Sequence, residues 1–404
     1  MKSLKELYRI GPGPSSSHTL GPQRACLKFK AAFTAAASMQ ADLFGSLALT
    51  GKGHGTDTII KKTMEPIACE VLFHHEDVKL PHPNTMKLTA FDLQKNVLGE
   101  WTICSIGGGA IRIIGVEDED GKEIYPQKSF SEIKAFCSCH DLDLAEYVDH
   151  YEKIDDYLEA IFHQMMETVK QGLASEGILP GKLKLQRTAG SLHRKAKAAL
   201  IPSEKEKLLL SAYAYAASEE NAGGGMTVTA PTLGSSGILP AILYYHHYDL
   251  HMPLEMMIRG LKIAGIFGNL IKQNATISGA QGGCQAEIGA ACAMGAAMAA
   301  YFRQLPIHKI EYAAEMGIEH HLGLTCDPVG GYVMIPCIER NAVAVLRSMD
   351  AAFLSTNLLD VRDNVISFDM VVNTMQYTGK KLAIELRETS LGGLALEVPL
   401  EEDE

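Results

Sequence analysis

Hydrophobic and polar positions change rhythm about a third of the way along the chain. Before the acidic stretch at 117–120, apolar residues come in short runs at 47–49, 69–73, 86–91, 101–106 and 111–116, separated by turn residues, and each run reads as a strand. Two stretches, over 19–39 and after Thr56, carry helical spacing instead. Few strands, interspersed helices and hairpin-like turns predict an α+β domain. The pattern turns polar at Glu117-Asp118-Glu119-Asp120-Gly121 and becomes helical from Ser129 onward. Residues 142–173 carry apolar residues at helical spacing, and Ser203-x-x-Glu206 after Pro202 reads as a capping box. Ala-rich helices then recur to the end, broken by Gly-rich segments at 221–225, 279–283 and 330–331. The predicted architecture is an α+β N-terminal domain over 1–127, connecting helices over 128–155 and an all-α C-terminal domain over 156–404.

Composition narrows the class. At roughly 150 residues per domain, 404 residues suit two domains or three, and 47% apolar content is ample for their cores. A net charge of −11 with 7% aromatic residues makes a poor general nucleic-acid binder, which needs clustered Lys and Arg. The longest apolar run, 288–302, is too short to span a bilayer comfortably and reads as a packed internal helix, so no membrane association is expected. No charged start followed by an apolar stretch and a cleavage site opens the chain, so a secretory signal is not expected. Nine cysteines in that setting do not suggest a disulfide framework, and the expected location is cytoplasmic.

Four segments are too specialised for ordinary loops. In Gly11-Pro-Gly-Pro-Ser-Ser-Ser-His-Thr-Leu-Gly-Pro-Gln-Arg24, Ser15, Ser16, Ser17, His18 and Thr19 sit at a predicted helix N-terminus. Free N–H groups and the helix dipole favour an anion there, and one serine alone would be an ordinary cap. In the second segment, residues 45–57, a predicted strand runs into Gly51-x-Gly53-x-Gly55 and presents Lys52 and His54 on a loop before a helix. This fits neither Walker A nor the dinucleotide pattern; a His flanked by glycines is structural about as often as it is a proton carrier. The third, Pro81-His82-Pro83-Asn84-Thr85, offers His82 and Asn84 on a rigid turn, or is simply a Pro turn. The fourth is distributed: Cys284, Cys326 and Cys337 each sit beside Gly or Pro. Three fixed thiolates could ligate zinc or an iron–sulfur cluster, but no C-x-x-C pair exists, and buried free cysteines also act as small hydrophobes.

Taken together these segments closely resemble the iron–sulfur L-serine dehydratases, from about residue 9 to 396. The most specific signatures are Gly13-Pro-Ser-Ser-Ser-His-Thr19, residues 45–57, Glu219-Glu-Asn-Ala-Gly223 with Thr229-Ala-Pro-Thr232, and His321-Leu-Gly-Leu-Thr-Cys-Asp-Pro-Val-Gly330. Pro336-Cys-Ile-Glu-Arg-Asn341 and Glu388-Thr-Ser-Leu-Gly-Gly393 complete the set. The resemblance implies an N-terminal domain similar to a regulatory ligand domain, a helical cluster-carrying domain, and an oxygen-sensitive [4Fe–4S] centre held by Cys284, Cys326 and Cys337. It implies an open fourth iron for the substrate L-serine, His54 as the α-proton base, and Ser16, Ser17, Thr56, His82 and Asn84 around the substrate, with His18 in the serine turn. It also implies a homodimer. Some members carry a C-terminal cysteine that caps the fourth iron; this sequence ends Leu400-Glu-Glu-Asp-Glu404 without one.

Three rivals remain distinct. A lyase acting on L-threonine or L-cysteine is the nearest, because apolar pockets discriminate one carbon by only about 10–200-fold. A cluster-based sensor without turnover would not need the His54 base. A zinc-stabilised scaffold needs a fourth, closed ligand. Pyridoxal phosphate would need a lysine anchor, for which Lys52 is the only tempting residue, and the thiolate set points elsewhere.

Overall fold

The computed structural model describes residues 1–76, 79–116 and 122–398. Residues 117–121, where the polar break falls, and the terminal 399–404 lie outside them. The N-terminal region is α+β and the rest is overwhelmingly helical, as the two rhythms predict.

Five strands form one mixed sheet: β2 (Ser38–Gly45), β3 (Ala68–His74), β4 (Asn84–Phe91), β5 (Val97–Gly107) and β6 (Ala110–Ile113), in the order β3-β2-β4-β5-β6. β2 and β3 are parallel and the other neighbours antiparallel. The parallel pair needs a crossover, supplied by helix Thr56–Met64. That helix and Gly21–Ala32 cover the sheet, burying Phe29, Ile60 and Met64 against Leu43, Leu88 and Ile103.

Two local expectations change. Residues 47–49 are not a strand but the helical turn Ser46–Leu49; the strand is β2 just before it, of which only Ser38 and Met39 fall within the predicted helix over 19–39. An apolar run this short fits either period, and tertiary context decides it. The second is the expected capping box at Ser203: helix Pro202–Ala222 instead starts at its proline, with Ile201 before it and no side-chain cap. Proline's missing N–H and preset φ make it a good first helical residue. Ser129 does cap Phe130–His140, accepting the N–H of Glu132 at 3.1 Å.

Helix Ile288–Phe302 is the axis of the helical half. Its Ala- and Gly-rich surface is buried all round, which lets Leu254–Asn274, Ile307–Glu319 and Cys337–Leu358 pack closely against it. The start of the chain joins this core: Leu4, Leu7 and Tyr8 are buried in it, and Tyr8 Oη donates to the Leu261 carbonyl at 2.9 Å. Next, β1 (Ile10–Pro12) pairs antiparallel with β7 (Met226–Val228), and Asn221 Nδ2 donates to the Pro14 carbonyl at 2.7 Å. The serine-rich turn is thereby stitched to the helical half before the chain enters the sheet.

Candidate active site

Two walls face each other where the halves meet. The first is built on the turn Ser16–Leu20, whose N-cap Ser15 accepts the His18 N–H at 3.3 Å. His18 is fully buried. Its Nε2 faces the Ser46 carbonyl at 3.1 Å, Thr50 Oγ1 at 2.9 Å and Ser46 Oγ at 3.4 Å. Both hydroxyls spend their protons elsewhere, Thr50 on the Ser46 carbonyl and Ser46 on the Glu388 carbonyl. Nε2 is therefore the donor, which leaves Nδ1 of neutral His18 as an acceptor. Nδ1 lies 3.4 Å from Ser15 Oγ and 3.6 Å from Glu388 Oε1.

His54 ends a one-turn helix, Gly51–His54, rather than the expected strand-to-loop junction. Its Nδ1 is 2.9 Å from the Thr50 carbonyl, which can only accept, so the lone pair of the neutral ring sits on Nε2. The His18 and His54 rings stack with centroids 4.1 Å apart. Burial lowers both, His54 to about 4 and His18 well below its usual value, where the neighbouring His54 adds to the effect. Both imidazoles are neutral at pH 7.

The second wall carries thiols. Cys284 opens the short turn before Ile288–Phe302, Cys337 is the first residue of Cys337–Leu358, and Cys326 lies in a loop bridged to Arg387. All three are free and line one small chamber, with a cavity volume of about 20 Å³. Its remaining lining is Ser15, His54, Gly234, Glu287, Ile288, Pro328, Val333 and Glu388. A wider basin of about 370 Å³ lies beyond, and His54 and Val333 line both.

The electrostatics of this wall test what it could hold. Hydrogen bonding with Cys284, then burial, pushes the Cys326 thiol well above its usual range; burial, then the charge of Cys284, does the same to Cys337. Bare thiolates packed together oppose one another's ionisation, whereas a soft cation takes them all as ligands. The donor set thus fits an iron–sulfur cluster or zinc. Glu287, whose carboxylate lies with Cys284 and Cys326 in a group spanning no more than 4.8 Å, could close a four-ligand zinc set. Arg340 faces the sulfurs and donates to the Thr325 carbonyl at 2.6 Å. Asn341 donates to the carbonyls of Gly234 and Cys337 at 2.8 and 2.9 Å, bracing the start of the Cys337–Leu358 helix, while Glu339 is exposed.

The expected substrate residues divide. His54 lines the chamber, and His18 stacks behind it. Ser16 and Ser17 are buried in the same turn, but the chamber-lining serine is Ser15. Thr56, His82 and Asn84 are buried without lining the chamber. Among the described residues Thr56 Oγ1, His82 Nε2 and both amide atoms of Asn84 have no hydrogen-bond partner, so they keep their capacity for a ligand. Sequence reasoning missed Ser46, Thr50, Glu287 and the role of Glu388. Glu388 opens a quoted signature, and that is the signal that could have found it.

A family model described as "Serine dehydratase alpha chain" matches residues 30–395. The chain is 36% identical to an L-serine dehydratase of Haemophilus influenzae, over 98% of this chain and 99% of that one. L-serine dehydratase 1 of Escherichia coli matches at 36% over the same shares, and an L-serine dehydratase of Helicobacter pylori at 37% over 97% and 98%. With near-complete coverage in both directions, the chain belongs to the L-serine dehydratase family.

Proposed function

We propose that this chain is a lyase that eliminates water from L-serine, using a [4Fe–4S] cluster held by Cys284, Cys326 and Cys337 and His54 as base. The aminoacrylate produced leaves, tautomerises to an imine and hydrolyses to pyruvate and ammonia. The observation that carries this reading is the meeting, on one buried chamber, of three free thiols and an imidazole with a free lone pair.

Loss of hydroxide from serine is slow because hydroxide is a poor leaving group and the α-hydrogen is weakly acidic. The cluster, when bound, supplies a Lewis acid for the departing oxygen. The chain's own residues do the rest. His54 Nε2 takes the α-hydrogen as a proton, while the Thr50 carbonyl holds Nδ1–H and fixes the ring. The Ser15–Leu20 turn, with Ser16 and Ser17, offers hydroxyls and free N–H groups to the substrate carboxylate. Thr56, His82 and Asn84 offer their unpaired polar atoms to the substrate or to the water network around it. Most residues lining the chamber are buried, which lowers the local dielectric and strengthens these contacts.

Anaerobic purification tests this reading. Equal amounts of iron and acid-labile sulfide, broad visible absorption and pyruvate from L-serine are expected, all declining in air. Cluster without turnover would replace the lyase by a sensor. Zinc without sulfide would favour the closed site that Glu287 makes available. Faster turnover of L-threonine or L-cysteine would reassign the substrate. No described helix is long and apolar enough to cross a membrane; an oxygen-sensitive centre fits a reducing, cytoplasmic setting.

A further inference from the structure

We propose that Glu388 binds the ammonium group of the amino-acid substrate. This rests on the dehydratase reading and adds the contact that would select amino acids over simple hydroxy acids. Glu388 is buried and lines the chamber, and among the described residues its Oε2 has no hydrogen-bond partner. Its Oε1 lies 3.6 Å from His18 Nδ1, which is an acceptor because the other ring nitrogen donates. A buried carboxylate oxygen without a partner is unfavourable, and an entering N–H donor satisfies it. An ammonium group brings three N–H donors and the charge that a buried carboxylate needs.

The backbone is committed to this placement. Glu388 has φ 59° and Ser390 φ 55°, in the left-handed region that residues with a Cβ seldom occupy. Anchors on several sides hold the segment there. The Glu388 N–H donates to the Cys326 carbonyl at 2.7 Å, Ser46 Oγ donates to the Glu388 carbonyl at 2.6 Å, and Ser390 Oγ donates to the Pro328 carbonyl at 2.6 Å. Strained conformations persist where their surroundings over-determine them, and they cluster at functional sites. These contacts tie the carboxylate to the loop of Cys326 and to the wall of His18 together.

Other occupants and other acids fit less well. His18, His54 and Glu388 offer ligand atoms within 4.8 Å of one another, which suggests a metal. However, the two rings are stacked 4.1 Å apart and only 22° from parallel, so their in-plane lone pairs run side by side instead of converging at the roughly 2.0–2.1 Å that a zinc–imidazole bond requires. Glu287, the other chamber carboxylate, takes a hydrogen bond from Thr232, and Glu388 takes one from the Ala280 N–H. Of the two, Glu388 is the one with a buried oxygen left unpartnered among the described residues.

The test uses reconstituted holoenzyme and equilibrium dialysis with L-serine and with 3-hydroxypropionate, which is serine without its amino group. In Glu388→Gln, L-serine binding should weaken about 10- to 100-fold, 3-hydroxypropionate should bind as before, and the cluster absorption should persist. Glu388→Asp should recover part of the loss. Equal weakening of both ligands, or of neither, overturns the assignment. If the glutamine variant loses its cluster, the parent enzyme decides: preference for L-serine over 3-hydroxypropionate by tenfold or more supports an ammonium subsite, and equal binding overturns it. A parent that binds neither ligand and forms no pyruvate overturns the dehydratase reading, and this subsite with it.

Discussion

The imidazole wall and the thiol wall share one chamber but are finished to different degrees. His18 and His54 each have one nitrogen tied to fixed acceptors within the chain, so their tautomers and orientation need nothing further. Cys284, Cys326 and Cys337 crowd together with Glu287 and Glu388, and among the described residues Arg340 is the cation that faces them. One wall is preorganised and the other is not. The imidazoles of the N-terminal region are fixed by the chain alone, whereas the thiols of the helical half form a donor set that a soft cation would complete.

The most damaging way to break the comparison is to remove one thiol. Cys284→Ser, Cys326→Ser and Cys337→Ser should each lose iron, sulfide and visible absorption, and pyruvate formation should fall to background. A variant that keeps its cluster unchanged removes that cysteine from the ligand set. Next in size is His54→Ala, which should keep the cluster while serine turnover falls about 10²–10⁴-fold, the range general bases supply. Exchange of the serine α-deuterium should vanish with it; normal exchange would take the base role from His54.

Acid distinguishes the walls by a smaller effect. Burial holds His54, His82 and His246 at about 4. The unfolded chain binds a proton on each near 6.5 while the folded chain does not, so stability is full above 6.5 and is lost as pH falls toward 4. Each histidine should cost about 2 kcal/mol at pH 5 relative to pH 7. Denaturant midpoints at the two pH values measure the loss. His246 lies outside the chamber, and His246→Gln should shrink the loss while leaving the cluster absorption in place. An unchanged acid loss in that variant would show that His246 is not buried as a neutral ring.

These contrasts were unevenly legible in the sequence. Helix Ile288–Phe302 was readable because its apolar run is unbroken, and Ser129 because capping is local chemistry. Strand β2 was not: it lies centrally between β3 and β4, carries Asp42 and Gln40, and takes its conformation from ladder partners distant in sequence. The motifs named His18, His54 and the three thiols, but only folding shows that they converge, since residues so far apart have no readable spacing. Glu388 was visible as part of a motif and silent as to role. Its position depends on a backbone turn that Cys326 and Ser46 hold from other parts of the chain.

The finest test concerns the loop that carries His54, where two glycines serve different ends. A Cβ at Gly53 would meet the Gly330 carbonyl oxygen at 2.5 Å and the Gly331 carbonyl carbon at 2.7 Å, so this glycine lets the imidazole wall approach the loop that follows Cys326. Gly55 has φ 71° and nothing within 4 Å of an added Cβ, so it serves the backbone alone. Gly53→Ala should therefore cost about 1–3 kcal/mol, as overpacking does, and should slow turnover by shifting His54 away from the thiols. Gly55→Ala should cost about 1 kcal/mol through left-handed strain only, and Gly55→Asn less, because Asn tolerates that region. Thermal unfolding with serine turnover measured in parallel separates the two. Equal penalties in both measures would mean that the walls are not held together by this backbone contact.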